Sequence, residues 1–125
     1  MRTILSLLLV LSLNTAVFAQ NSEPKPKEFL YKVTLAKKYH DEKSWTDVDR
    51  QTVGAHFQRL KEANEAGKII LAGRTDEAND KTFGIVIFYA NDEKEALEFM
   101  LGDPAVKAGI MEATLHPYRV ALIKK

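Results

Sequence analysis

The sequence predicts an α+β domain whose elements follow the order β-α-β-β-α-β, the ferredoxin-like arrangement of a four-stranded antiparallel sheet with both helices on one face. Three observations predict it. An alternating strand pattern precedes a long amphipathic helix, two apolar strand-like runs follow with a polar turn between them, and a second, shorter helix leads into a last strand. The chain of 125 residues contains no internal repeat, so a single domain is expected.

The first 19 residues are predicted to be a secretory signal peptide that is not part of the fold. Arg2 supplies a positive charge, a mostly apolar run covers residues 4–10, and Val17-Phe18-Ala19 places small or modest residues before a cleavage site. The apolar run is shorter than the roughly 20 residues that a spanning helix needs. A retained membrane anchor is the alternative. We expect export, either to the periplasm or out of the cell.

The composition excludes several classes of protein. The chain has no cysteine, which excludes disulfides, thiol catalysis, thiolate metal sites and lipid attachment behind the signal. Loss of Arg2 with the signal leaves 17 of the 18 basic residues, which balance the 17 acidic ones. A net charge near zero gives no electrostatic reason to expect nucleic acid or a membrane surface as a partner. The three histidines lack metal-ligand spacing. We predict no cofactor and no metal site.

Residues 20–27 contain two prolines among polar residues and are predicted to form a flexible leader, so that the domain occupies residues 28–125. The predicted elements are, in chain order, strand one at 28–36, a loop at 37–45, helix one from its cap Thr46 to Gly67, strand two at 69–74, a polar turn at 75–81, strand three at 83–90, helix two from Asp92 to Leu101, a short helical turn from Asp103 to Gly109, and strand four at 111–123. A break or bulge is expected in strand four near His116-Pro117.

The helix boundaries rest on capping residues. Thr46 is a favourable cap for helix one, whose first turn carries acidic residues. Gly67 suits a left-handed stop at the end of that helix. Asp103 and Pro104 begin a further turn, because aspartate is favoured at the cap and proline at the first helical position.

Strand three predicts how the sheet is covered. Its apolar residues point to both faces of the sheet, with Phe83, Ile85, Ile87 and Tyr89 on one and Val86, Phe88 and Ala90 on the other. A strand with two apolar faces needs cover on both sides, and the helices cover one. A second copy of the sheet would cover the other, giving a homodimer of the dimeric α/β barrel type. A monomer whose open face is lined by Tyr and Thr is the alternative.

His56 and Asp103 are the candidates for catalysis. His56 lies mid-helix beside Phe57 and one turn before Leu60, at the edge of the predicted buried stripe. It is either a half-buried packing residue or a general acid or base, because imidazole titrates near neutrality. Asp103 is either the plain cap of the turn that Pro104 begins, or a carboxylate that fixes the imidazole tautomer and stabilises its protonated form.

Two further residues are candidates for substrate binding. Arg74, at the end of strand two, either binds an anionic substrate or is a solvent-exposed or ion-paired residue. His116, in strand four, either approaches the pocket or is a strand-edge histidine. Trp45 and Tyr39 lie in the first long loop, where they could form a lid or a dimer contact.

The chain resembles the YCII-related (YciI-like) family over roughly residues 29–123. The resemblance rests on the order and spacing of His56, Leu60, Ala66-Gly67-Lys68, Leu71-Ala72-Gly73, Asp103-Pro104, Gly109 and Pro117-Tyr118. It implies a dimeric ferredoxin-like barrel in which His56 and Asp103 are proposed active-site residues, and relatives usually lack an established reaction. The chain departs from the family in having a signal peptide, and in having Arg74 after Gly73 where many relatives have proline.

Three functions fit these residues. The first is a cofactor-independent enzyme of the lyase, isomerase or dehydrochlorinase type, in which His56 takes or returns a proton of a small organic molecule and Asp103 orients the imidazole. The second is a small-ligand-binding or sensing module without turnover. The third is a structural or interaction domain that uses the dimer alone. A polar His–Asp contact in a pocket separates the first two from the third.

Overall fold

The computed structural model describes residues 23–125, and the predicted signal peptide lies outside this range. The elements are β1 (Lys27–Leu35), α1 (Asp47–Glu65), β2 (Ile69–Arg74), β3 (Phe83–Ala90), α2 (Glu93–Leu101), α3 (Pro104–Lys107) and β4 (Met111–Tyr118). The strands form one sheet in the order β2-β3-β1-β4, and each neighbouring pair is antiparallel. The predicted ferredoxin-like α+β fold is confirmed. No helix in the described range is long and apolar enough to cross a membrane.

The hydrophobic core lies between the sheet and the two longer helices. Phe29, Tyr31 and Val33 of β1 and Val86 and Phe88 of β3 are buried on one face of the sheet. They share a single cluster with Leu60 of α1 and with two residues of α2, Ala96 and Met100. Both helices therefore pack on the same face. Alternate residues of each strand point to the opposite face, which we call the open face.

The local signals at α1 act as the sequence predicts. The Thr46 hydroxyl accepts a hydrogen bond from the Asp49 backbone N–H at 3.1 Å, and the Asp49 carboxylate accepts one from the Thr46 N–H at 2.9 Å. This reciprocal pair is a capping box. After the last turn, Gly67 has a φ of +77°, a left-handed conformation that glycine adopts without a steric penalty. The chain turns there directly into β2.

Two predicted segments differ from the structure. The loop at 37–45 contains two short 3₁₀ turns, in which Tyr39 is buried and its carbonyl accepts a hydrogen bond from Trp45 Nε1 at 2.9 Å. Strand four ends at Tyr118, five residues earlier than predicted, and it continues through Pro117 without a bulge. β4 is an edge strand, where proline is tolerated. The irregularity lies instead in β2, after Ile69.

Candidate active site

His56 lies in the middle of α1, on the flank that meets the turn before α3. The two helices pack against each other, and the contact includes the side chains of His56 and Asp103. The distance from His56 Nδ1 to Asp103 Oδ2 is 2.6 Å, and the His56 side chain is 12% exposed. The fold therefore brings together two residues that are 47 positions apart in the chain.

Asp103 is completely buried, which is rare for a carboxylate, and both of its oxygens have partners. Oδ1 accepts a hydrogen bond from the Ala105 backbone N–H at 2.9 Å, which is the predicted cap of α3. Oδ2 accepts from His56 Nδ1 and, at 3.4 Å, from the hydroxyl of Tyr31. One carboxylate therefore caps a helix with one oxygen and holds the imidazole with the other.

The surroundings keep Asp103 ionised. Burial has the largest single effect and raises its pKa, but the hydrogen bond and charge of His56, the Ala105 amide and the Arg59 guanidinium together hold that pKa below its ordinary value. For Tyr31, burial and then the negative charge of Asp103 raise the phenol pKa far above its usual range. The Tyr31 hydroxyl consequently stays protonated and donates to the carboxylate.

The ionised carboxylate determines which nitrogen of His56 carries a proton. A carboxylate can only accept hydrogen bonds, so Nδ1 must be the donor in the contact with Asp103. In the neutral imidazole, Nε2 then holds the free lone pair. Among residues 23–125 no hydrogen-bond partner faces Nε2, and Arg59 Nη1 is the single buried side-chain nitrogen or oxygen without a partner there. Nε2 therefore retains accessible surface, as a general base requires.

A cleft of about 550 Å³ opens beside His56, between α1 and the end of the sheet where β1 and β2 finish and β3 and β4 begin. Its volume lies within the range of about 300–1,000 Å³ that is typical of small-molecule sites. His56 lines the cleft and Asp103 does not. The pair therefore presents its imidazole to the cleft and keeps its carboxylate behind, in the protein interior.

The other two predicted site residues are placed differently from each other. Arg74 ends β2 and lines the same cleft as His56. His116 lies exposed on β4, where it pairs in register with Leu30 of the open face, and its Nε2 is 3.3 Å from Thr114 Oγ1. The structure does not bring His116 to the cleft.

Two residues near the pair were not predicted from the sequence. The alternation of β1 predicts that Tyr31 points inward, and a buried phenol needs a hydrogen-bond partner, so its contact with Asp103 could have been sought. Arg59 lies three residues after His56 in α1, donates to the Phe99 carbonyl at 2.8 Å and stacks over the Phe99 ring at 4.3 Å. No sequence signal relates Arg59 to Asp103, because their proximity depends on tertiary packing.

The described residues contain no cluster of three or more His, Asp or Glu side chains that is arranged to hold a metal ion. The chemistry that the arrangement itself can carry is proton transfer. A half-buried imidazole with one fixed tautomer can take a proton through Nε2, and the buried anion stabilises the imidazolium that forms.

Comparison with known proteins identifies the family. The sequence model of the YCII-related domain matches residues 32–115. The chain belongs to the YCII-related domain family. The matched range contains His56, Arg74 and Asp103 and stops one residue before His116. No curated protein matches this YCII-related chain in sequence.

Among solved structures, the YCII-related chain is similar to 5-chloro-2-hydroxyhydroquinone dehydrochlorinase from Burkholderia phenoliruptrix, in complex with 2,5-dihydroxybenzoquinone. The TM-score is 0.57 at 21% sequence identity, and the match covers 74% of this chain and 93% of the dehydrochlorinase chain. At this identity the likeness shows a shared fold.

Proposed function

We propose that this YCII-related protein is a cofactor-independent enzyme that transfers a proton on a small organic molecule, with His56 as the general base and acid and Asp103 as the residue that orients it. The observation that carries the proposal is the 2.6 Å contact between His56 Nδ1 and a completely buried Asp103. Burying a carboxylate is costly unless it is paired, and this pairing leaves Nε2 available beside a cleft.

The proposed reaction needs no oxidant, reductant or second substrate. His56 Nε2 takes a proton from an acidic C–H or O–H bond, and the electron pair of that bond moves into the substrate. The imidazolium then returns the proton at another atom, which is an isomerisation. Alternatively, the electron pair expels a leaving group as an anion and the imidazolium gives its proton to water, which is a lyase reaction. The structural similarity to a dehydrochlorinase supports the second course, in which the leaving group is chloride.

Proton abstraction can be measured before the substrate is known. The mature protein is incubated in D₂O with a panel of small enolisable ketones and hydroxyaromatic compounds, including 5-chloro-2-hydroxyhydroquinone, and NMR follows deuterium uptake while an electrode follows chloride. We expect at least one compound to exchange or lose chloride, and His56→Ala to abolish the reaction. The matched control is His116→Asn, which removes a histidine that lies outside the cleft lining and should leave the rate unchanged.

Two outcomes would count against the proposed enzymatic function. Turnover that survives in His56→Ala would refute the role of His56. Compounds that bind in the cleft without exchange or product would support the ligand-binding module instead.

We also propose that two copies pair through the open face. This face carries the apolar side chains of Leu30, Leu71, Phe83, Ile85, Ile87 and Tyr89, of which Ile87 is already buried in the single chain. Leu71 is 50% exposed and Tyr89 37% exposed. Sedimentation should give a dimer, and Leu71→Asp should dissociate it, because the substitution would bury an unpaired charge between the sheets. Leu97→Asp is the control, since Leu97 is 42% exposed on α2, which packs on the other face. A wild-type monomer at micromolar concentration would exclude the dimer.

We propose, finally, that the protein is exported and cleaved after Ala19. The support is the charged, apolar and small-residue order of residues 1–19. The intact mass of the exported protein should begin at Gln20. An exported form that retains Met1 would contradict cleavage.

A further inference from the structure

The charges that line the cleft have one sign. Lys61 of α1 and Arg74 of β2 both border it, and no aspartate or glutamate does. The whole chain carries 17 acidic residues and a net charge of +1, so the bias belongs to the cleft and not to the composition. The acidic residues of the turn that follows Arg74, at positions 76, 77 and 80, lie outside the lining.

Neither cation is neutralised by a neighbouring carboxylate. The four ion pairs among residues 23–125 involve Arg50, His56, Lys68 and Lys94, and leave out Lys61 and Arg74. The sequence left open that Arg74 is solvent-exposed or ion-paired and does not bind an anion. Within the described range, no ion pair of Arg74 supports the second of these alternatives. A cleft with walls of one sign raises the local concentration of ligands of the opposite charge.

The rest of the lining is apolar and aromatic. Phe57, which is 63% exposed, and Trp45 border the cleft on the side of α1, and Val33 and Val86 border it from the sheet. Gly84 also lines the cleft, and its lack of a side chain leaves space there. A Cβ at this position would lie only 2.9 Å from Val33 Cγ2. Such walls suit the flat apolar body of a ring.

We infer that the cleft binds an organic acid, meaning an aromatic or alicyclic body that carries a carboxylate, with Arg74 and Lys61 as the groups that recognise the anion. The guanidinium of Arg74 matches a carboxylate with two parallel N–H donors, whereas the ammonium of Lys61 acts as a point charge. The inference deepens the proposed function and rests on it only in that the same cleft would hold the substrate. It names the substrate class that His56 would act upon.

The test compares ligands that differ in charge and little else. Benzoate, neutral benzamide and cationic benzylammonium are titrated into the ¹⁵N-labelled protein, and dissociation constants are taken from amide shifts of cleft residues. Because both cations are exposed, each is expected to contribute a factor of only about 2–5. Benzoate should therefore bind roughly five- to twentyfold more tightly than benzamide, benzylammonium should bind most weakly, and the preference should shrink as salt is raised.

The variants decide which residues are responsible. Arg74→Gln and Lys61→Gln should each reduce the preference for benzoate over benzamide, and the double variant should remove it. Arg119→Gln and Lys94→Gln are matched controls, because both residues lie outside the cleft lining, and they should leave the preference unchanged. Equal affinity for benzoate and benzamide, or a preference that persists in the double variant, would overturn the inference.

The same measurement in His56→Ala separates this inference from the proposed function. The preference for benzoate should persist there, because it does not depend on the imidazole. If it persists while no compound shows proton exchange with the wild type, the binding inference stands and the enzyme fails. If exchange occurs on neutral compounds without any preference for anions, the enzyme stands and this inference fails.

Discussion

Replacing Asp103 by asparagine should reverse the tautomer of His56. The substitution keeps the shape of the side chain and, with Oδ1 in place, the cap on the Ala105 N–H at 2.9 Å. The oxygen that faced His56 then becomes an NH₂ group. Two donors cannot share a contact of 2.6 Å. The neutral imidazole must therefore move its proton to Nε2 so that Nδ1 can accept.

The magnitude follows from the contacts of Asp103. A charge-assisted hydrogen bond contributes about 1.5–3 kcal/mol and a neutral one about 0.5–1.5 kcal/mol, so Asp103→Asn should cost about 1–2 kcal/mol of stability. The Tyr31 hydroxyl can reverse its role and accept from the new amide. Asp103→Ala would instead strand all three donors, namely His56 Nδ1, Ala105 N–H and Tyr31 hydroxyl, and should cost about 3–5 kcal/mol.

The catalytic effect should be larger than the effect on stability. With the proton on Nε2, the ring nitrogen that Asp103 does not contact becomes a donor and can no longer act as a base. General acid–base catalysis contributes about 10²–10⁴ in rate, so we expect Asp103→Asn to lose a factor in this range while the protein remains folded. His56→Ala removes the proton acceptor altogether and should lose more.

Long-range ¹H–¹⁵N NMR of the imidazole nitrogens is the direct assay, recorded at a pH where the spectrum itself shows the neutral imidazole. The chain has three histidines, and His56→Ala assigns the relevant signals. We expect the Nδ1–H form in the wild type and the Nε2–H form in Asp103→Asn. His116→Asn, on the open face, should leave the His56 signals in place. An Nε2–H tautomer in the wild type, or an unchanged tautomer in Asp103→Asn, would refute the argument.

Three further predictions concern stability and titration. The lowered pKa of Asp103 means that its contribution to stability is present above about pH 4, the ordinary aspartate value, and is lost as the pH falls below it. Urea unfolding should therefore show a smaller difference in the free energy of unfolding between wild type and Asp103→Asn at pH 3 than at pH 7. The raised pKa of Tyr31 should keep its phenol un-ionised at about pH 11, so the absorbance titration curves of the wild type and Tyr31→Phe should not differ up to that pH. Gly67→Ala should cost about 1 kcal/mol in thermal or urea unfolding, because φ is +77° there, whereas Gly54→Ala in the middle of α1 should stabilise; equal shifts in the two variants would contradict this.

Local signals predicted most of the fold because they need no knowledge of the remote packing. β2 and β3 have the bounds that their apolar runs predict, and α1 begins and ends at its capping residues. The predicted end of β4 was wrong because the apolar pattern alone does not show where strand pairing stops. Residues 119–123 continue an apolar pattern, but a strand also needs a partner, and the register of β4 against β1 ends where Glu28 meets Tyr118.

The site was predictable only in part. His56 and Asp103 could be singled out by residue type and by family resemblance, yet their contact depends on how α1 and α3 pack. The cleft could not be predicted, because it is formed by residues of α1 and all four strands, and its single sign of charge depends on which side chains those elements bring together. Arg59 was missed for the same reason, since its partners lie 40 residues away at Phe99.

The role of Asp103 as a helix cap does not explain its environment. A cap needs one acceptor, and Oδ1 alone meets the Ala105 N–H. Serine, threonine or asparagine could supply that acceptor in this position without a buried charge. The chain instead buries an ionised carboxylate completely and offsets the cost with two side-chain donors, His56 and Tyr31, from two different elements. The second oxygen, Oδ2, fixes the orientation of the His56 imidazole beside the cleft, and capping α3 does not require this contact. The arrangement therefore supports the proposed chemistry at His56, because the stability of a four-residue helix does not require it.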